Sequence, residues 1–198
     1  MRFHARYLLG ALAVPVVILG LAALVLEGPW SPLALDRANA RYVAGDLAGA
    51  AAAYAEVAEG WHAPGTRAEA AERAALIAVQ SHEPTQAASW LRKAADLEPE
   101  PGRRGALRMQ LGTLYLEDLR DPLRAAETFA QAEVDRGDGH AVLAAARAWE
   151  RAGRSDQALD SYQRAVAALG EGEAREEAGV GLDRVGASLS GVADAEMP

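Results

Sequence analysis

The sequence contains no cysteine among its 198 residues. This absence excludes disulfide bonds, thiolate metal sites, cysteine nucleophiles and lipoprotein-type acylation of an N-terminal cysteine. Valine and isoleucine are scarce after residue 26, and no stretch alternates apolar and polar residues as a half-buried strand does. Hydrophobic residues make up 51% of the chain, and much of that share is alanine, the best helix former. The composition therefore predicts an all-α protein.

The clusters of residues that carry catalysis or hold metals are also missing from the sequence. The four histidines are scattered along the chain as His4, His62, His82 and His140. None of them has a second histidine four residues away, as a zinc-binding helix would, and no glycine-rich loop has the spacing of a phosphate-binding motif. We therefore expect no catalytic residues, no cofactor and no metal.

Basic residues are fewer than acidic ones. The chain has 20 lysines and arginines against 28 aspartates and glutamates, which gives a formal net charge of −8. All of the acidic residues lie at or after Glu27. An acidic body does not suit binding to phosphate backbones, so we expect no nucleic-acid partner.

One long uncharged segment is present near the N-terminus. Residues 7–26 read YLLGALAVPVVILGLAALVL, which is about the length needed to cross a bilayer as a helix. The following EGPWSP contains two prolines and ends any such helix. A cleaved signal peptide is the alternative, but its apolar region is normally shorter and a small-residue cleavage site follows it. A buried core helix is a third possibility. The segment favours an uncleaved transmembrane helix.

The charges flanking this segment predict its orientation. Arg2 and Arg6 precede it, whereas Glu27 and Asp36 follow it. Because positively charged flanks stay in the cytoplasm, we expect a single-pass protein of the bacterial inner membrane with a cytoplasmic N-terminus. The body of the chain would then be periplasmic or extracytoplasmic.

A pattern of small and large residues recurs four times after the anchor. A small residue recurs at intervals of 33 to 38 residues, and a large one follows it four residues later. The small positions are Ala50, Ala87, Ala125 and Ala158, and the large ones are Tyr54, Leu91, Phe129 and Tyr162. Gly112 is a further small residue on a predicted first helix, and Gly45 and Gly153 mark turns. Helices can cross closely at small residues, and hairpins of this kind must stack to bury their apolar faces.

This pattern resembles the tetratricopeptide repeat (TPR) over roughly residues 33–170. The resemblance implies a helical-hairpin solenoid of about four TPR-like repeats, closed by a capping helix at 173–189. With the N-terminal segment, the expected domains are an anchor at 1–30, a repeat domain at 31–189 and a disordered tail at 190–198. The first two intervals exceed the usual period of the family, and its closing proline survives only as Pro99.

The resemblance also implies a partner-binding groove on the first helices of successive hairpins. Carried over onto this sequence, the groove positions are Leu35, Asn39, Tyr42, Val43, Glu72, Leu76, Val79, Gln80, Met109, Thr113, Leu116, Leu143 and Arg147. Several of these positions are apolar where a clamp for a peptide carboxylate needs basic groups, so the expected ligand is an apolar or amphipathic segment of a protein. The alternative that some of these side chains belong to the repeat core stays open.

The function that the resemblance and the anchor imply is a membrane-anchored scaffold. It would mediate protein–protein interactions at the outer face of the bacterial inner membrane, without catalytic activity. The alternatives are an assembly or maturation accessory factor for an exported enzyme or translocon complex, a structural oligomer, and a hydrolase with a divergent site.

Overall fold

The computed structural model describes residues 30–195 of the chain. The predicted transmembrane helix at 7–26 lies outside the described residues. Within the described range the secondary structure is α-helical, with no β-strand. The helices are α1 Trp30–Val43, α2 Leu47–Glu59, α3 Pro64–Gln80, α4 Pro84–Leu97, α5 Pro101–Glu117, α6 Pro122–Arg136, α7 Gly139–Arg151, α8 Ser155–Ala168 and α9 Glu173–Ala195. No helix between residues 30 and 195 combines the length and apolar character that a membrane crossing requires.

The chain divides into two compact units, and the boundary between Ala74 and Ala75 falls inside α3. In the first unit, α1 packs against α2. In the second unit, each helix from α4 to α9 packs against the next, and α9 also contacts α7. The sequence predicts one repeat domain over 31–189, whereas the described part of that range forms two units. Within the second unit, successive hairpins pack against one another in the order of the chain, as the repeat pattern predicts.

Helix boundaries follow from capping residues in the connecting turns. Asp121 accepts a hydrogen bond from the backbone N–H of Arg124 at 3.0 Å, and Pro122 occupies the first helical position of α6. Asp138 accepts from the N–H of Ala141 in the same way at the start of α7. These side chains satisfy N–H groups that have no partner inside the helix. The turn before α8 contains Gly153 with φ of 71°, a left-handed conformation that favours glycine.

The predicted small and large positions form the core of the repeats. The four alanines of the pattern are completely buried, and the four large residues are each at most 5% exposed. Both parts of the pattern are therefore confirmed as buried positions. Gly112 is also buried, and a Cβ added there would lie 2.5 Å from the Phe129 ring. The backbone of α5 thus lies directly against an aromatic ring of α6.

The last helix is longer than the sequence predicts. It continues to Ala195, so the first six residues of the predicted tail at 190–198 are helical. The glycines of α9 suggest a weak helix on propensity alone. Gly181, however, lies against the Tyr162 ring of α8, so closely that an added Cβ would overlap that ring. Buried Ala178 and Val185 pack into the same cluster, and this tertiary packing overrides the low propensity.

We predict opposite effects of alanine at two neighbouring glycines of α9. Gly181→Ala should destabilise the fold, because overpacking against buried Tyr162 costs about 1–3 kcal/mol and outweighs the gain in helix propensity. Gly179→Ala should stabilise it by about 0.5–1 kcal/mol, because a Cβ there meets nothing within 4 Å. Chemical denaturation followed by circular dichroism measures both. Equal effects of the two substitutions would contradict the close approach at Gly181.

Candidate functional site

An open depression of about 390 Å³ lies in the second unit between α5 and α7. It is formed by the first helices of two successive hairpins, with Phe129 of α6 and the first turn of α9 completing it. The lining residues are Met109, Thr113, Leu116, Glu117, Phe129, His140, Leu143, Ala144, Arg147 and Ala174. Five of the thirteen predicted groove residues are thereby brought together: Met109, Thr113, Leu116, Leu143 and Arg147.

The α5 wall of the depression presents one face of that helix. Met109, Thr113 and Leu116 follow one another at spacings of four and three residues, which places them on the same side of α5. Met109 and Leu116 are half-buried and Thr113 is exposed. The Thr113 hydroxyl donates to the Met109 carbonyl at 3.0 Å, so its donor is satisfied within the helix. This wall can therefore contact an apolar surface without leaving that hydroxyl proton unpaired.

The bottom of the depression belongs to the core of the unit. Phe129 and Leu143 are both buried at 3% exposure, and Leu143 packs in the cluster shared by α7, α8 and α9. Leu143 therefore offers only a small surface to the depression, and its role as a partner contact stays a prediction. The alternative in which this groove position belongs to the repeat core also stays open.

The rim of the depression carries charges that are already paired. Arg151 Nη1 lies 2.8 Å from Glu117 Oε1, which links the ends of α7 and α5. Arg147 forms an ion pair with Glu177 of α9. About half of each side chain is exposed, so these pairs add at most about 1 kcal/mol each to stability. The predicted groove residue Arg147 is thus engaged by the chain's own last helix.

A hydrogen-bonded network holds α9 against α7 and α8. Arg184 donates from Nε and Nη2 to the two carboxylate oxygens of Glu150, at 2.6 and 2.7 Å. The Tyr162 hydroxyl donates to Glu150 Oε2 at 2.7 Å. The hydrogen bonds from Arg184 lower the pKa of Glu150, while burial followed by the Glu150 contact raises the pKa of Tyr162. Because Ala174 of α9 lines the depression, this network fixes one of its walls.

We predict that acid weakens the attachment of α9 through Glu150. Its folded pKa lies below the ordinary value of 4.5, so its stabilisation is complete above that pH and is lost as the pH falls through the folded pKa. Thermal denaturation between pH 7 and pH 3 should show a smaller loss of stability for Glu150→Gln than for the wild type. Exposed Glu127→Gln is the matched control and should keep the wild-type slope. Identical slopes for all three proteins would contradict the role of the network.

The remaining predicted groove residues do not gather at this depression. Those of the first unit are Leu35, Asn39, Tyr42, Val43 and Glu72, and those near the end of α3 in the second unit are Leu76, Val79 and Gln80. Asn39 accepts a 2.6 Å hydrogen bond from the Tyr54 hydroxyl, which gives it a structural role within the first hairpin. Leu76 and Val79 are exposed, and Val79 lines a separate depression of about 190 Å³ with Leu114.

The structure also shows a depression that the sequence does not signal. It has a volume of about 380 Å³ and lies among α4, α5 and α6. Arg92 donates to the Tyr115 hydroxyl there, and the Arg124 guanidinium lies over the Tyr115 ring at 5.9 Å. Asp96 and Glu127 line the same space, so its charge is mixed. No spacing along the sequence joins these residues, because they come from three helices.

Metal ligands are not clustered in the part of the chain that the structure describes. Within residues 30–195, no group of three or more histidine, aspartate or glutamate side chains has an arrangement that could hold a metal ion.

The geometry defines a class of protein: a chain of α-helical hairpins with an open depression between the first helices of two hairpins. No protein-family model matches the sequence, and neither does any curated protein. Solved structures with a similar fold do exist. The TPR-like repeats of a kinesin-light-chain-like protein from Podosopora anserina share 14% sequence identity, with a TM-score of 0.54 over 83% of this chain and 89% of that one.

Two further solved structures show the same likeness. MamA shares 18% identity, with a TM-score of 0.51 over 86% of this chain and 98% of that chain. BtubC (BKLC) from P. vanneervenii shares 18% identity, with a TM-score of 0.51 over 75% of this chain and 68% of that chain. At these identities the likeness concerns the fold alone. The described chain therefore has a TPR-like helical repeat fold, as the sequence pattern predicts.

Proposed function

We propose that the chain is a membrane-anchored scaffold that binds a protein partner in the depression between α5 and α7. The observation that carries this proposal is the depression itself, which has an apolar bottom and a wall of half-buried apolar side chains. TPR-like repeat proteins among the similar structures support a protein–protein interaction role. The scaffold has no catalytic activity of its own in this proposal.

The chemistry of the depression favours an amphipathic helix or an extended apolar segment as the ligand. Met109 and Leu116 offer unbranched and branched apolar contacts on one helix face, and Ala144 leaves space opposite them. The ion pairs at the rim compensate the charges of Glu117 and Arg147, so a ligand with a strongly charged face gains little there. Burial of apolar surface would supply most of the binding free energy.

The proposed anchor is the sequence segment at 7–26, which supports a single-pass placement in the bacterial inner membrane. The N-terminus would lie in the cytoplasm and the repeats on the periplasmic or extracytoplasmic side, as the flanking charges favour. Tethering confines the depression to the layer next to the bilayer. A partner in the same membrane then meets it at a high effective concentration, so a modest intrinsic affinity suffices.

We predict that removing the apolar wall abolishes partner capture without unfolding the chain. A photo-crosslinking amino acid at exposed Thr113 of the full-length protein should yield a discrete crosslinked product in the native membrane. The double substitution Met109→Ser and Leu116→Ser should reduce that product by about tenfold or more, because apolar anchors in a binding site each contribute more than about 1 kcal/mol. Mass spectrometry identifies the product.

The matched control replaces two exposed apolar residues of α6, Leu123→Ser and Val134→Ser. This control variant should give the same product as the wild type, and both variants should keep the wild-type helical signal. Recovery of the product by the Met109/Leu116 variant at wild-type yield would mean that recognition uses another surface.

A further inference from the structure

Trp61 is one of the most exposed large apolar side chains of the described structure, at 85% exposure. It lies in the short segment 60–63 that joins α2 to α3. Tryptophan at such a position leaves a large apolar ring in water, which is unfavourable unless another surface covers it. Membrane interfaces are one setting in which tryptophan is enriched, because its ring is apolar and its N–H is polar.

The loop that carries Trp61 lies next to the beginning of α1. Ala34 and Arg37 of α1 line a depression of about 230 Å³ together with Val57 of α2 and His62. The first turns of α1 and the end of α2 therefore form one end of the first unit. Leu33, the neighbour of Ala34, is 47% exposed at this same end. Two exposed apolar side chains thus mark the end of the hairpin at which α1 begins.

The length of chain preceding α1 restricts where this end can lie. The predicted anchor ends at Leu26 and α1 begins at Trp30, so three residues separate them. Even fully extended, the four Cα–Cα steps from Leu26 to Trp30 span at most roughly 14 Å. The polar layer on each side of the hydrocarbon core is itself roughly 5–8 Å thick. An anchor in the bilayer would therefore hold the start of α1 within or beside the headgroup layer.

The charges at this end are mixed and do not by themselves select a membrane. Arg37 and Arg41 line the depression with His62, and Glu56 lines it too. Guanidinium groups near anionic headgroups contribute favourably to membrane binding, and the carboxylate offsets part of this contribution. The apolar side chains, rather than net charge, must then supply the contact.

From these observations we infer that Trp61 and Leu33 form a membrane-contacting end of the first unit, with the phospholipid headgroup layer as its ligand. This inference rests on the proposed anchor. It orients the first hairpin, because the opposite end of α1, at Val43, would then lie farther from the bilayer by at most about 15 Å, the axial distance between the two residues. The Trp61 ring would sit at headgroup level, and the guanidinium of Arg37 would face lipid phosphates.

The absence of cysteine allows a clean test on the full-length chain. Single-cysteine variants Leu33→Cys and Val43→Cys carry an environment-sensitive fluorophore at the two ends of α1. Val43 is the matched control because it is 86% exposed on the same helix. Each labelled protein is reconstituted into phosphatidylcholine–phosphatidylglycerol vesicles that contain lipids spin-labelled at the headgroup. Fractional quenching of the fluorophore then reports its proximity to the headgroups.

The label at residue 33 should be quenched at least about twofold more than the label at residue 43, because interfacial tryptophan fixes the nearby end at headgroup level. Trp61→Ser in the Leu33→Cys background should lower the quenching at residue 33 toward the value at residue 43, while vesicle flotation stays complete. Equal quenching at 33 and 43 in protein that floats, or a ratio unchanged by Trp61→Ser, would overturn the inference and leave the anchor intact. Protein that fails to float with vesicles would overturn the anchor itself and, with it, this inference.

Discussion

The close crossing of helices at small residues is the constraint on which the rest of the structure depends. At Gly112 the backbone of α5 lies against the Phe129 ring, and at Gly181 the backbone of α9 lies against Tyr162. Alanines without exposed surface occupy equivalent places in the second helices of the hairpins. Larger side chains would hold the helices apart and leave the aromatic rings without neighbours. The tight packing of this alanine-rich chain thus depends on where its few large residues lie.

The shape of the candidate site depends on these close helix crossings. The Phe129 ring packs against α5 because Gly112 has no side chain there. This ring forms part of the bottom of the depression between α5 and α7. The Tyr162 ring packs against α9 because Gly181 has no side chain there. The Tyr162 hydroxyl donates a hydrogen bond to Glu150 and helps to position the first turn of α9 at the edge of that depression. Packing of the core and formation of the proposed binding surface therefore use the same side chains.

The small-and-large pattern could be recognised from the sequence because it repeats at intervals of 33 to 38 residues, and its members are buried in every hairpin. The site was predictable only in part. Met109, Thr113 and Leu116 share a face of one helix, which local spacing indicates. The pairing of Arg147 with Glu177 and of Glu150 with Arg184 joins residues 30 and 34 positions apart, so no local pattern reveals it. Gly181 likewise suggests a weak helix until its contact with Tyr162 is known.

Substitution at the most regular position of the pattern tests the central claim of close crossing. Ala158→Leu places a larger side chain at a fully buried contact, and Ala167→Leu makes the same change at an exposed position of the same helix. The account predicts that Ala158→Leu lowers the free energy of unfolding by about 1–3 kcal/mol. Each kcal/mol corresponds to a fall of about 2–4 °C in melting temperature. Ala167→Leu should change the melting temperature little. An unchanged melting temperature for Ala158→Leu would contradict the account.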